Sequence, residues 1–283
     1  MARTVGFMQG RLSDLIDNRI QSFPWYTWEA EFAMAAELGF ELLEWTIDAD
    51  NLSKNPLMTS DGQNKINSLK KKFNITIRSL TGDCFMQAPF WKAKLSKTKL
   101  DLESEFLNVC LASAGINIEL IVVPLVDNGR LENSTQEDNL IRFLVERSSF
   151  FRDLNLKVIF ESDYEPFALK QLIDQLDPAI FGINYDIGNS ASLGFDVGNE
   201  FESYGDRILN VHIKDRIYRG STVPLGEGDA KFDDVFKHLN SVNYVGDFIL
   251  QTARADDGNH ANALISYRSM AQHWINKHLS TEP

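Results

Sequence analysis

Along the chain, short apolar runs rich in β-branched and aromatic residues alternate with longer segments whose apolar positions recur every three or four residues. The short runs predict strands over 4–8, 41–47, 75–80, 118–125, 157–162, 181–187, 208–214 and 247–252. The longer segments predict helices over 27–38, 60–73, 96–114, 136–154, 165–176, 196–204, 232–240 and 259–278. Cap chemistry marks several ends: Ser60 or Asp61 opens one helix, and Gly39 and Gly115 close two others. Eight strand–helix units in about 250 residues match a closed (β/α)8 TIM barrel in both count and size. No linker or low-complexity segment divides the chain, so residues 1–283 are read as a single barrel domain. An open doubly wound sheet would carry a glycine-rich phosphate loop after its first strand. Phe7-Met8-Gln9-Gly10-Arg11 lacks that spacing.

Alternation within the strands then says which side chains face the barrel interior. In Ile208-Leu209-Asn210-Val211-His212-Ile213-Lys214, the apolar set is Leu209, Val211 and Ile213, so Asn210, His212 and Lys214 point inward. The same logic places Asn184 and Asp186 inside, puts Glu161 on a face with Ile159, and puts Gln251 on a face with Ile249. The last four strands therefore each bring one polar residue to the mouth: Glu161, Asp186, His212 and Gln251. Catalytic groups of such barrels sit at the C-terminal ends of the strands. Two carboxylates buried there need a compensating cation or hydrogen-bond network. Two carboxylate oxygens, an imidazole nitrogen and an amide oxygen suit a divalent metal such as Mn, Co, Mg or Zn. Taken singly, each residue also has a plainer reading, as a hydrogen-bonded core group or a solvated charge.

Composition narrows the partners. The net charge of -12 repels phosphodiester backbones, which argues against nucleic acid. No apolar run is long enough for a membrane helix, and the start MARTVGFMQG lacks the pattern of a signal peptide. Two cysteines, Cys84 and Cys110, make no disulfide framework, so the expected setting is the cytoplasm. A small-molecule substrate is expected, and the outer helices leave homo-oligomer formation open. Arg11, Arg78, Arg219 and Arg254 fall at predicted strand ends or loops and are candidates to clamp an anionic substrate group. Trp25, Trp28, Trp45, Phe85, Phe90 and Trp91 cluster in the first three units, where one or two are expected to touch ligand.

The order of short motifs is also informative. Gly6-Phe7-Met8-Gln9-Gly10-Arg11-Leu12, Leu43-Glu44-Trp45, Phe160-Glu161, Tyr185-Asp186-Ile187-Gly188-Asn189, Val211-His212-Ile213-Lys214-Asp215 and Pro224-Leu225-Gly226-Glu227-Gly228-Asp229 follow one another along nearly the whole chain. This series resembles the sugar phosphate isomerase/epimerase family of xylose isomerase-like barrels, whose relatives include ketose 3-epimerases, inosose dehydratases and AP endonucleases. The resemblance implies metal ligation by Glu161, Asp186, His212 and the residue at 251. It also implies proton transfer by carboxylates on the fifth and eighth strands. Here the eighth-strand position is Gln251, which cannot accept a proton at neutral pH.

The resulting expectation is a divalent-metal-dependent isomerase or epimerase of a sugar or sugar phosphate, working through an enediolate. Glu161 or Glu44 would serve as base, with Lys214 as electrostatic stabiliser. Arg11, Arg78, Glu227 and Arg254 would lie around the substrate, Glu227 orienting Lys214 or a ligand or, equally, standing as a surface turn residue. The alternatives are a dehydratase or lyase sharing the enediolate, and a sugar-binding barrel that lost catalysis at Gln251. A nuclease like the AP endonucleases would need more histidines and carboxylates for its metal cluster.

Overall fold

The structure, a computed structural model, describes residues 3–16, 19 and 21–279. Eight parallel strands close on themselves: β1 (Val5–Met8), β2 (Leu43–Thr46), β3 (Ser79–Thr81), β4 (Leu120–Leu125), β5 (Lys157–Ser162), β6 (Phe181–Asp186), β7 (Ile208–Ile213) and β8 (Phe248–Leu250). Neighbours in sequence are neighbours in the barrel, and β8 pairs with β1 through Phe7↔Leu250. The (β/α)8 architecture is therefore as the hydrophobic pattern predicts. Helices wrap the outside, and their inner faces bury the large residues: Phe32, Phe106, Phe151, Phe236 and Ala271 are all 1% exposed or less.

Inside the barrel, apolar and polar side chains lie side by side. Met8, Leu42 and Ile249 form a small apolar cluster, with Met8 paired to Glu44 and Ile249 to His212 in the strand register. Gly6 makes room for it, because a Cβ there would lie 2.7 Å from the Leu42 side chain. The rest of the lining here is polar and buried: Glu44, Ser79, Asn184, Asn210 and His212 are all 2% exposed or less. The β6–β7 ladder shifts register between Ile183 and Asn184, after which Asn184 faces Asn210 and Asp186 faces His212. Irregularities of this kind re-aim side chains beside functional sites.

Several elements differ from the pattern. The helix expected over 136–154 is two, Ser134–Glu146 and Ser148–Asp153, broken at Arg147. Two helices were not anticipated, Asp83–Gln87 after β3 and Ile187–Leu193 after β6. After β7 the chain forms a two-stranded ribbon, Asp215–Arg216 against Thr222–Val223. All three additions lie at C-terminal strand ends and shape the mouth.

Candidate metal centre and cavity

β5, β6 and β7 end side by side, and each brings one ligand-bearing side chain to the same place. One ligand atom each from Glu161, Asp186 and His212 lie within 4.8 Å of one another, and all three residues are buried. Gln251 lies one residue past β8, held there by its own amide on Ile213 O at 3.0 Å. Lys214 Nζ bridges Asp186 Oδ2 at 3.1 Å and Gln251 Oε1 at 3.2 Å. Above these groups opens a cavity of about 440 Å³, lined by Arg11, Asp83, Glu161, Lys214, Arg216 and Gln251 among others.

The supports of each side chain can be traced. Asp186 is the N-cap of the helix Ile187–Leu193: Oδ1 accepts from Asn189 N at 2.8 Å, which leaves Oδ2 for the site. Glu161 accepts from Asn189 Nδ2 at 2.6 Å and Asn184 Nδ2 at 3.1 Å. His212 is clasped between two carboxylates, Nε2 at 2.8 Å from Glu44 Oε1 and Nδ1 at 3.2 Å from Glu161 Oε2. Glu44 accepts three further bonds, from Ser79 Oγ, Thr81 Oγ1 and Asn210 Nδ2. It is a pillar under the imidazole, engaged at both oxygens and 0% exposed.

Electrostatics follows from this clasp. Burial alone would lower the His212 pKa, but Glu44 and Glu161 overcome it and push it up to about 10. The two site carboxylates diverge. Burial raises both, yet His212 and Lys214 bring Glu161 below the usual range, while Asp186 stays above it with Glu161 adding to the rise. Such a split pair separates a ready proton acceptor from its partner.

The donor set fits a divalent cation. Glu161, Asp186 and the Nδ1 edge of His212 would supply three ligands and the Gln251 amide oxygen a fourth. Glu44 on Nε2 fixes the ring in the orientation such a ligand requires.

The other predicted residues divide. Arg11 reaches the cavity, 3% exposed, and its pKa falls to about 9 through burial and then repulsion from Arg254. Arg254 instead binds the backbone, giving Nε to Ser13 O at 2.9 Å and Nη2 to Gly10 O at 2.6 Å, so it secures the loop after β1. Arg78 is corrected outright. β3 begins only at Ser79, so Arg78 lies at the N-terminal rim, paired with Asp247 at 2.7 Å, at the far end from the site. Glu227 is exposed in its turn, as its surface-turn reading has it, and the flanking amides of Gly226 and Gly228 bind Asp215 Oδ2. Glu44 sits beneath the imidazole with both oxygens occupied, so it supports His212 rather than reaching substrate. Arg219 is exposed over the Tyr218 ring. Among the aromatics, Trp45, Phe85, Phe90 and Trp91 are core, Trp25 and Trp28 pack against it, and none lines the cavity.

Three residues gain roles that strand alternation did not assign. Asn189 is a hub: its oxygen accepts from Lys214 Nζ at 3.2 Å and Arg216 Nη1 at 2.8 Å while its amide holds Glu161. Arg216 comes to the wall on the ribbon, and Asp83 from the short helix after β3. Only Asn189 had a local signal, standing three residues after a strand-ending Asp in the capping position.

A closed (β/α)8 barrel with its cluster of acceptors at the C-terminal mouth defines the class by architecture, a TIM barrel with a buried polar mouth. The family model described as xylose isomerase-like TIM barrel matches residues 32–273, and the chain belongs to that family. It is 22% identical over 244 residues to SgbU of Haemophilus influenzae, which carries the name of an L-ribulose-5-phosphate 3-epimerase; the match covers 80% of this chain and 83% of that one. SgbU of Escherichia coli matches at 36% over 78 residues, 25% of this chain and only 27% of the relative. An inosose dehydratase of Lactiplantibacillus plantarum is 30% identical over 128 residues, 37% of this chain and 42% of the relative. Among solved structures, the IolI protein with a bound zinc atom superposes with TM-score 0.76 at 14% identity, covering 98% of this chain and 100% of that one. A D-psicose 3-epimerase with D-tagatose from Clostridium cellulolyticum H10 gives 0.74 at 10%, covering 96% and 99%. At such identities these structures establish the fold. Among the described residues no helix is long and apolar enough to cross a membrane.

Proposed function

We propose that the chain is a divalent-metal-dependent epimerase or isomerase of a sugar or sugar phosphate. The observation that carries this reading is the convergence of Glu161, Asp186 and His212 within 4.8 Å beside a cavity of sugar size. Glu161, Asp186, His212 and Gln251 would hold the metal, whose chemistry when bound is Lewis-acid polarisation of a substrate carbonyl. Glu161 removes the proton from the carbon between carbonyl and hydroxyl; its depressed pKa keeps it ionised and able to accept. Lys214, 3.1 Å from Asp186, lines the cavity where negative charge develops on substrate oxygen and stabilises it. Asn189 and Asn184 fix Glu161 from two sides, so the base meets its proton in one geometry.

A second reading has its own support. Elimination of water needs one base and one acid rather than two bases, and Gln251 leaves one carboxylate where a symmetrical epimerase has two. Similarity to an inosose dehydratase points the same way. One experiment addresses both. Ketoses, aldoses and their phosphates are incubated with the protein and Mn²⁺ in D₂O, and products are followed by NMR. Deuterium at one carbon of an intact sugar supports the epimerase or isomerase, whereas loss of water supports the dehydratase. Glu161→Gln lowers either rate by about 100-fold or more. Wild-type turnover in that variant would remove Glu161 from the chemistry.

A further inference from the structure

Asp83 stands apart from every other buried carboxylate at the mouth. Asp48 accepts from Phe23 N at 2.7 Å and Gln87 Nε2 at 3.0 Å. Asp215 accepts from the amides of Gly226, Gly228 and Ala230. Glu44, Glu161 and Asp186 are held as described above. Asp83 is 7% exposed and lines the cavity, yet its Oδ2 is buried without a hydrogen-bond partner. Buried polar groups left unpaired are few in native proteins, and each calls for a reason.

Its backbone is fixed while its side chain is not. Gly82 N donates to Val122 O on β4, and Cys84 N donates to Ile47 O just beyond β2, both at 3.0 Å. The carboxyl is thus held over the mouth from the β3 side, two strands round the barrel from Glu161. As the first residue of a five-residue helix, Asp83 would serve the helix equally well with its charge in water. It is buried toward the cavity instead.

We infer that Asp83 is a second catalytic residue, a proton carrier that reaches the substrate from the β3 side of the mouth while Glu161 reaches it from β5. This rests on the epimerase reading. Inverting a carbon needs a proton removed on one face and returned on the other, and Gln251 cannot do the second task. Glu161 takes the proton, and the C–H electron pair enters the enediolate. Asp83 then gives its carboxyl proton to the other face of that carbon. The π pair forms the new C–H bond, the O–H pair stays on Asp83 as carboxylate, and the carbonyl re-forms. The product is the inverted sugar with Glu161 protonated and Asp83 ionised, and one proton exchanged through solvent resets both. Burial first, then the carboxylates of Asp48 and Glu161, push Asp83 well above the usual carboxylate range, so it carries the proton it must give.

The test compares wild type with Asp83→Asn and Asp83→Ser in D₂O with Mn²⁺ and the sugar panel, after melting curves establish folding. The expected result is that both variants still exchange the substrate C–H for deuterium while inversion falls by about 100-fold or more. Inversion within about threefold of wild type in either folded variant overturns the assignment, being far below the contribution of a true acid–base group. Loss of exchange and inversion together also overturns it, because Asp83 would then act only in substrate placement. If wild type neither exchanges nor inverts any sugar, the epimerase reading itself falls and takes the inference with it. That outcome is seen before any variant is made. Difference infrared spectra add a check independent of turnover: a protonated-carboxyl band present in the wild-type protein must vanish in Asp83→Asn.

Discussion

His212 Nε2 lies 2.8 Å from Glu44 Oε1, with both side chains 0% exposed in the middle of the barrel. The pair joins β2 to β7 across the interior and turns the other ring nitrogen toward Glu161. A carboxylate behind a histidine in this way raises its basicity and fixes its orientation. Glu44→Gln should therefore weaken Mn²⁺ binding by about 10- to 100-fold, measured by isothermal titration. Unchanged affinity would mean that His212 is no ligand or needs no such support.

Gln251 sets the charge of the site. Three buried carboxylates, Glu44, Glu161 and Asp186, against Lys214 and a dication balance to neutrality when His212 is neutral. Gln251→Glu adds a negative charge beside the same ammonium. We expect metal binding to tighten by about tenfold or more, since affinity rises with ligand charge. Turnover should fall, because the more anionic site holds an enediolate less well. A dialysis series against chelator, followed by rate measurements, tests both halves.

Lys214 contacts two candidate ligands yet is placed to stabilise substrate charge. Replacing it by Met is expected to lower turnover by about 100- to 1,000-fold. Bound metal should remain, since none of the four proposed ligands is removed. Loss of the metal along with activity would recast Lys214 as a support of the ligand set.

Glu31 provides a pH signature away from the ligands. It is fully buried, accepts from the amides of Gly10 and Leu12 and from Ser13 Oγ, and thereby holds the loop that carries Arg11. Burial first raises its pKa to about 7, against those hydrogen bonds and Arg254, which pull it down. The protonated form is thus favoured by folding. The stability it contributes is complete below the ordinary glutamate pKa and is lost as pH rises through about 7, by on the order of 3 kcal/mol in all. Denaturant titrations from acid to neutral pH should show this decline in wild type and a flatter curve in Glu31→Gln. Parallel curves would refute the assignment.

Much of this was legible in the strand alternation, and the exceptions have identifiable causes. β7 reads directly: Asn210, His212 and Lys214 alternate with apolar residues, and the structure turns them to the interior or the mouth. Glu44 is named by its sequence as a candidate base, but its role depends on a partner 168 residues away that no local pattern contains. Arg78 reads as a strand-end residue because Ile75 and Ile77 place the strand over 75–80, whereas after one bridge at Thr76 the continuous ladder of β3 runs from Ser79 to Thr81. A shift of that size exchanges the mouth for the far rim. Gln251 stands just beyond its strand, since the ladder stops at Leu250. Asp83 resembled any turn carboxylate, because only the packing of β2 and β4 around its backbone shows that it is buried.

The most direct test is the metal content of the protein. Wild type, reconstituted with Mn²⁺ or Zn²⁺ and passed over a desalting column, should retain about one dication per chain by elemental analysis, with a rise in melting temperature. Asp186→Asn, which keeps the shape but removes one charged ligand, should retain little and show no such rise. Wild type that keeps no metal and melts at the same temperature with and without it would contradict the account.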